Sequence, residues 1–206
     1  MRLKYGRKEL DFEIESSRVI DVLKASEKEG LNDPLAEVEK SLKDPVGSRP
    51  LFNLLEEKEI NDLVIIVNDV TRYTPYDQML PPLLEVIKKA GIKKEEVTFV
   101  VATGVHSPHS KEQNKEIFGE KIDNNYNFIH HNCDQNLVDF GKLSSGNRLR
   151  LNKKVAEADF VITTGVILPH YMAGFSGGRK SILPGVAGRE SIENNHAKMV
   201  DVIAEH

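Results

Sequence analysis

Three short stretches hold most of the residue types able to move protons or hold anions. The first is Asn68-Asp69-Val70-Thr71-Arg72-Tyr73-Thr74-Pro75. The second is Thr103-Gly104-Val105-His106-Ser107-Pro108-His109. The third is Thr164-Gly165-Val166-Ile167-Leu168-Pro169-His170, running on to Gly174-Phe175-Ser176-Gly177-Gly178-Arg179-Lys180-Ser181. Histidine titrates near neutral pH, so pairs of histidines suit acid–base chemistry. Arginine presents a planar fork that matches a carboxylate. Successive amides at Ser176, Gly177 and Gly178 could form an anion-binding nest.

The second and third stretches echo each other. Val100-Val101-Ala102-Thr103-Gly104-Val105 aligns with Val161-Ile162-Thr163-Thr164-Gly165-Val166, and Pro108-His109 then falls on Pro169-His170. The echo predicts two strand–loop units of similar build, each bringing a glycine turn and a histidine to the same sheet edge. Alternatively, Thr-Gly-Val is common strand-end chemistry. The glycine-rich stretch is not a nucleotide-binding P-loop. That loop needs glycine immediately before the lysine and a helix after it, whereas here Arg179 precedes Lys180, and Pro184-Gly185 follows closely. No G-x-G-x-x-G dinucleotide fingerprint follows a strand.

The surrounding pattern must position these loops. Residues 63–67 (Leu-Val-Ile-Ile-Val), 97–101 (Val-Thr-Phe-Val-Val) and 160–163 (Phe-Val-Ile-Thr) are apolar runs. Such runs are expected of strands covered on both faces, near the middle of a parallel sheet. Helices are predicted from Asp33-Pro34 (cap and first position), over 51–56, over 83–90 closing at Gly91, and from Ser110, whose pairing with Gln113 makes a capping box. Residues 2–5 and 9–15 read as a hairpin turning at Gly6-Arg7, and 137–151 as a second hairpin around Ser145-Gly146. A last helix is expected from about Arg189, with Ile192, His196 and Val200 on one stripe and His196 in its first turns. Buried strands alternating with helices imply a three-layer α/β domain with a mainly parallel, Rossmann-like sheet, plus an N-terminal β-hairpin. In such sheets ligands bind beyond the carboxyl ends of the strands, where the three loops lie.

Composition narrows the class. The chain has 206 residues, 39% hydrophobic and 29% charged, with a net charge of -4. This describes one globular domain over residues 1–206, and argues against nucleic acid or an anionic membrane as partner. No apolar run reaches membrane-spanning length, and the N-terminus lacks a signal-peptide pattern, so a cytoplasmic address is expected. Cys133 is the single cysteine, which excludes an intrachain disulfide and a cysteine-rich zinc site. The final Ile203-Ala204-Glu205-His206 has no helix-stopping residue, and reads as a truncation before a further domain.

Pro169-His170-Tyr171-Met172-Ala173-Gly174-Phe175-Ser176-Gly177-Gly178-Arg179-Lys180, followed by Leu183-Pro184-Gly185 and His196, resembles the signature of the nickel-dependent lactate racemase family. Asn68-Asp69-Val70-Thr71-Arg72 and Gly104-Val105-His106 match the family's two earlier motifs in order and spacing. The resemblance spans nearly the whole chain. It implies a nickel pincer nucleotide, a nicotinate-derived mononucleotide, attached to Lys180 through a thioamide and seated near Ser176, Gly177 and Gly178. It implies His196 as the protein ligand to nickel, and His106 and His170 as the paired acid and base. Arg72 would hold the substrate carboxylate, with Asp69 orienting neighbouring groups. The implied reaction is racemisation of a small 2-hydroxy acid, with lactate as substrate, by hydride transfer to and from the cofactor. The implied partners are a second domain of the same protein and the enzymes that make the cofactor. This stretch alone would then be inactive.

Two points stay open. The internal echo pairs His109 with His170, whereas the family motif points to His106. The family pattern has a basic residue after that histidine, where this chain has Ser107, which bears on substrate identity more than on reaction type. The competing readings are another 2-hydroxy-acid racemase or epimerase with the same cofactor, and a nucleotide- or nickel-binding module without catalysis. Taken singly, His196 would be a core histidine, Lys180 a surface lysine and Asp69 a turn cap. His130-His131 matches no motif.

Overall fold

The structure is a computed structural model that describes residues 2–6, 8–22, 26 and 28–198. The chain divides into two units, Met1–Asn32 and Asp33–His206. In the first, β1 (Arg2–Tyr5) pairs antiparallel with β2 (Lys8–Asp11), Leu3 opposite Leu10. The second strand is shorter than the sequence pattern predicts, and both strands are exposed throughout.

The second unit is built on β3 (Leu63–Asn68), β4 (Val97–Ala102), β5 (Asn127–His130) and β8 (Phe160–Thr163). All pair in parallel, in the order β5-β4-β3-β8. This is the α/β architecture that the pattern predicts. Within β3 the pleat divides the side chains. Leu63, Ile65 and Val67 enter one core with Phe99 and Val101, while Val64 and Ile66 enter another with Val100, Val155 and Val186.

On the first face lie α1 (Pro34–Lys43), α2 (Leu51–Glu56), α3 (Tyr76–Lys89), α4 (Lys111–Phe118) and α5 (Glu120–Asp123). Asp33 accepts from the Ala36 amide at the start of α1, and Ser110 and Gln113 close the capping box of α4. Among the described residues the opposite face carries no long helix. It is covered by the short α6 (Lys153–Ala156), which follows the hairpin β6 (Leu137–Lys142) and β7 (Arg148–Asn152), and by residues 182–186.

Two expectations need correction. The strand at 160–163 is not central. Among the described residues it pairs with β3 on one side alone, so it forms the sheet edge and is only half-buried. The third helix starts at Tyr76, not at residue 83, and carries Pro81 and Pro82 within it. Its buried side is Tyr76, Leu80, Leu83 and Ile87, a helical repeat whose apolar contacts outweigh the missing proline amides.

A buried histidine ties the second layer together. His131, 1% exposed, donates from Nε2 to the Ala187 carbonyl (2.8 Å) and accepts the Asn152 side-chain amide at Nδ1 (3.1 Å). Burial holds its pKa below the ordinary histidine value, with smaller opposing effects from Ala187 and Asp134. His130 and His170 are shifted the same way, with burial the largest single cause in each. The unfolded chain therefore takes up protons more readily than the folded one. Stability is complete above the unfolded histidine pKa, about 6.5, and falls as pH drops through it towards the lower folded values. Denaturant unfolding between pH 8 and pH 5 is expected to show this decline, and His131→Gln, which cannot titrate, should flatten it. An unchanged slope in that variant would show that other groups govern the decline.

Candidate active site

The three loops emerge at the carboxyl edge of β3, β4 and β8, where chain order departs to either side of β3. They enclose a cleft of about 520 Å³ lined by Asp69, Arg72, His106, His170, Lys180 and His196, with Ser176 and Gly177. That size suits a small-molecule or cofactor site. The expected convergence of His106, His170, Lys180 and His196 with Arg72 is present. Gly178, expected beside them, is not among the lining residues.

The first loop is pinned from below. The buried Tyr76 hydroxyl accepts the Asn68 amide, and the Asn68 side chain donates to Thr74 Oγ1 (2.9 Å). Asp69 follows, 4% exposed. Its Oδ1 accepts from the Thr71 hydroxyl (2.6 Å) and amide (3.2 Å), leaving Oδ2 2.6 Å from Nδ1 of His106. The carboxylate can only accept, so His106 carries its proton on Nδ1 and presents Nε2 as a base. The sequence suggests only a general orienting role for Asp69. Thr71 was not singled out, although Asp-x-Thr is a recognisable turn signal.

His170 sits differently. It lies in a miniature hairpin of β9 (Pro169–His170) and β10 (Gly174–Phe175). Its Nδ1 accepts from the amides of Met172 (3.2 Å) and Ala173 (3.3 Å), so a neutral ring carries its proton on Nε2 and can donate it. The Tyr171 ring stacks on it at 5.0 Å between centroids. The two histidines are thus held in complementary tautomers.

Burial lowers the His170 pKa, and the positive charges of Lys180, Arg72 and His196 lower it further. Lys180, half-buried, is likewise lowered by burial and then by Arg72, which favours the free amine needed for attack on a carbonyl-type carbon. Lys180 stands in a single 3-10 turn, Gly178–Ser181. Ser176 is already used by the loop. Its hydroxyl donates to the Val166 carbonyl and accepts from the Leu168 amide, and its own amide donates to Leu168. It therefore shapes the loop, and its amide does not contribute to the expected anion nest.

His196 is exposed in the last turn of α7 (Arg189–Ala197), one face of which is anchored by Ile192 among Cys133, Leu151 and Ala187. It is neither sealed in the core nor in the helix's first turns. Val200, expected on the same stripe, and the terminal residues 203–206 lie outside the described residues. Among the described residues no group of three or more His, Cys, Asp or Glu is placed to hold a metal. An ion at His196 would need its other ligands from elsewhere. His109 is 8% exposed and does not line the cleft. Among the described residues no helix is long and apolar enough to cross a membrane.

A parallel α/β sheet with a cationic, histidine-paired cleft at its carboxyl edge defines a small-molecule site of the α/β class. The chain matches the family model for the lactate racemase N-terminal domain over residues 5–205, and belongs to that family. It is 37% identical over 201 residues to a lactate racemase from Thermoanaerobacterium thermosaccharolyticum, covering 95% of this chain and 46% of the relative. It is 41% identical over 162 residues to a lactate racemase from Lactiplantibacillus plantarum, covering 78% of this chain and 38% of the relative. The chain thus spans less than half the length of these relatives. The lactate racemase apoprotein structure from Thermoanaerobacterium thermosaccharolyticum superposes with a TM-score of 0.80 at 34% identity, covering 95% of this chain and 45% of that one. A crystal structure of a Thermotoga maritima protein, 20% identical, shares the fold with a TM-score of 0.65, covering 82% of this chain and 42% of that one.

Proposed function

We propose that this chain is the cofactor-binding part of a 2-hydroxy-acid racemase acting on lactate. The observation that carries the reading is the pair of histidines in opposite tautomers, His106 on Asp69 and His170 on two backbone amides, in one cleft with Arg72 and Lys180. Racemisation needs a proton acceptor and a proton donor that exchange roles with direction, and these two rings are prepared for it. Arg72 binds the substrate carboxylate. His106 Nε2 takes the hydroxyl proton of one enantiomer, and His170 Nε2 returns a proton when the other enantiomer forms.

Removing the α-proton beside a carboxylate would place two negative charges on adjacent atoms. A nickel pincer nucleotide, when bound, supplies a reversible hydride acceptor that avoids this. The residues fit such a group. Lys180 is a half-buried amine held towards its neutral form, His196 offers one imidazole to the metal, and the cationic lining suits a nucleotide phosphate. Tyr73, Val105, Leu168 and Tyr171 line the cleft and are exposed. A further domain of the same protein would cover this apolar rim and exclude water, so this stretch alone is inactive and the site is completed in a cytoplasmic enzyme loaded by cofactor-making enzymes.

Peptide mass spectrometry on the full-length protein, made in cells that synthesise the cofactor, tests the reading. A covalent adduct is expected on Lys180, with Lys180→Ala carrying none and lacking racemase activity. Lactate racemisation by a protein whose Lys180 is unmodified would overturn it.

A further inference from the structure

His109 does not line the cleft, yet both of its ring nitrogens are bonded. Its Nε2 accepts the backbone N–H of Val70 at 2.8 Å. Because that nitrogen accepts, the ring proton lies on Nδ1, which donates to Asn114 Oδ1 at 3.1 Å. The same oxygen accepts from His130 Nε2 at 3.1 Å. The ring is packed edge-on to His130 (centroids 5.2 Å apart) and near Phe118 at 6.5 Å. Two secondary-structure elements, α4 through Asn114 and β5 through His130, therefore set its position.

The Val70 amide belongs to the peptide plane that joins Asp69 to Val70. The other pole of that plane, the Asp69 carbonyl, accepts the Arg72 amide at 3.1 Å. The peptide is thus held on both sides, and the Asp69 side chain departs from a fixed backbone. Asp69 in turn sets the tautomer of His106 at 2.6 Å.

We propose that His109 is a positioning residue: through the Val70 amide it fixes the Asp69 carboxylate, and so keeps the His106 proton on Nδ1 and its Nε2 available as base. This rests on the reading of His106 as an acid–base group, but its physical content is the tautomer of His106, which can be read without any activity. It also accounts for both histidines of the second loop. One faces the cleft, and the other holds the scaffold that aims it.

The experiment uses nitrogen-15 NMR of the histidine rings, paired with kinetics of the full-length protein. In the unmodified protein a scalar coupling is expected across the Val70 N–H···Nε2 bond, and His106 should show the Nδ1–H form. Glutamine places a polar atom where Nε2 lies, whereas asparagine places one where Nδ1 lies. His109→Gln should therefore keep the Val70 contact and the His106 tautomer, with kcat within about twofold of the unmodified protein. His109→Asn should keep the Asn114 contact alone. His106 should then relax to a tautomer mixture, with kcat falling by about tenfold and KM little changed, as expected for a misaimed group. A structural filler would respond alike to both substitutions. Absence of the coupling, or an unchanged His106 tautomer in folded His109→Asn, overturns the proposal. Loss of racemase activity from every form, with the tautomer shift intact, would count against the racemase reading and leave the positioning role standing.

Discussion

Replacing either His106 or His170 by glutamine is expected to lower racemisation by the full-length protein by about 10²–10⁴-fold, the usual contribution of a positioned acid or base. Neither loss should come from unfolding. His106 is 53% exposed and His170 lies in a surface hairpin, so neither contributes much core. The losses should be matched in direction. Two enantiomers have equal free energies, so kcat/KM must fall equally from D- and L-lactate in each variant. Chiral chromatography of both reactions checks this. A loss under tenfold for either histidine would remove it from the proton path and undo the complementary-tautomer argument.

Gly185→Ala is expected to destabilise the fold by about 3 kcal/mol, the upper end for forcing atoms into a packed site. A Cβ there would clash with the Ser181 carbonyl oxygen and stand 2.8 Å from its carbon. Both are backbone atoms, so no rotamer can relieve the clash. Gly185 also accepts the Gly104 amide at 3.0 Å and donates to the Lys180 carbonyl at 3.0 Å. Displacing it therefore disturbs the His106 loop and the Lys180 turn together. Gly178→Ala is the control. It has open space around its Cβ but a φ of 51°, so it should cost only about 1 kcal/mol of left-handed strain. Urea unfolding of both variants measures the difference. Equal costs would mean that the segment around 185 can shift as a body.

Much of the sheet was legible because β3 and β4 are apolar on both faces, a pattern that few other structures require. The same signal overstated β8. Phe160 and Ile162 pack against one core and Val161 against the other, so the strand looks central by composition, while among the described residues one edge of its backbone lacks a strand neighbour. Pro81 and Pro82 masked the first two turns of α3, since local rules weigh a missing amide but cannot see the core that Tyr76 and Leu80 fill. The cleft residues were legible through motif order. The contacts that hold them were not, because they join residues far apart in sequence, such as Asp69 with His106 and Val70 with His109. The internal echo was misleading for the same reason. His109 and His170 occupy equivalent sequence positions, but α4 draws the first into the interior while the short β9–β10 hairpin leaves the second at the cleft.

The positive charges that crowd His170 have a thermodynamic counterpart. Burial is the largest single cause of that ring's reluctance to take a proton, and Lys180, Arg72 and His196 add to it. An anion entering the cleft offsets the cationic share, so the ring's proton affinity rises when a carboxylate or phosphate arrives. Occupancy and protonation are therefore linked equilibria: each favours the other by the same factor. Anion capture should draw protons from solvent, and its affinity should weaken as the buffer turns alkaline.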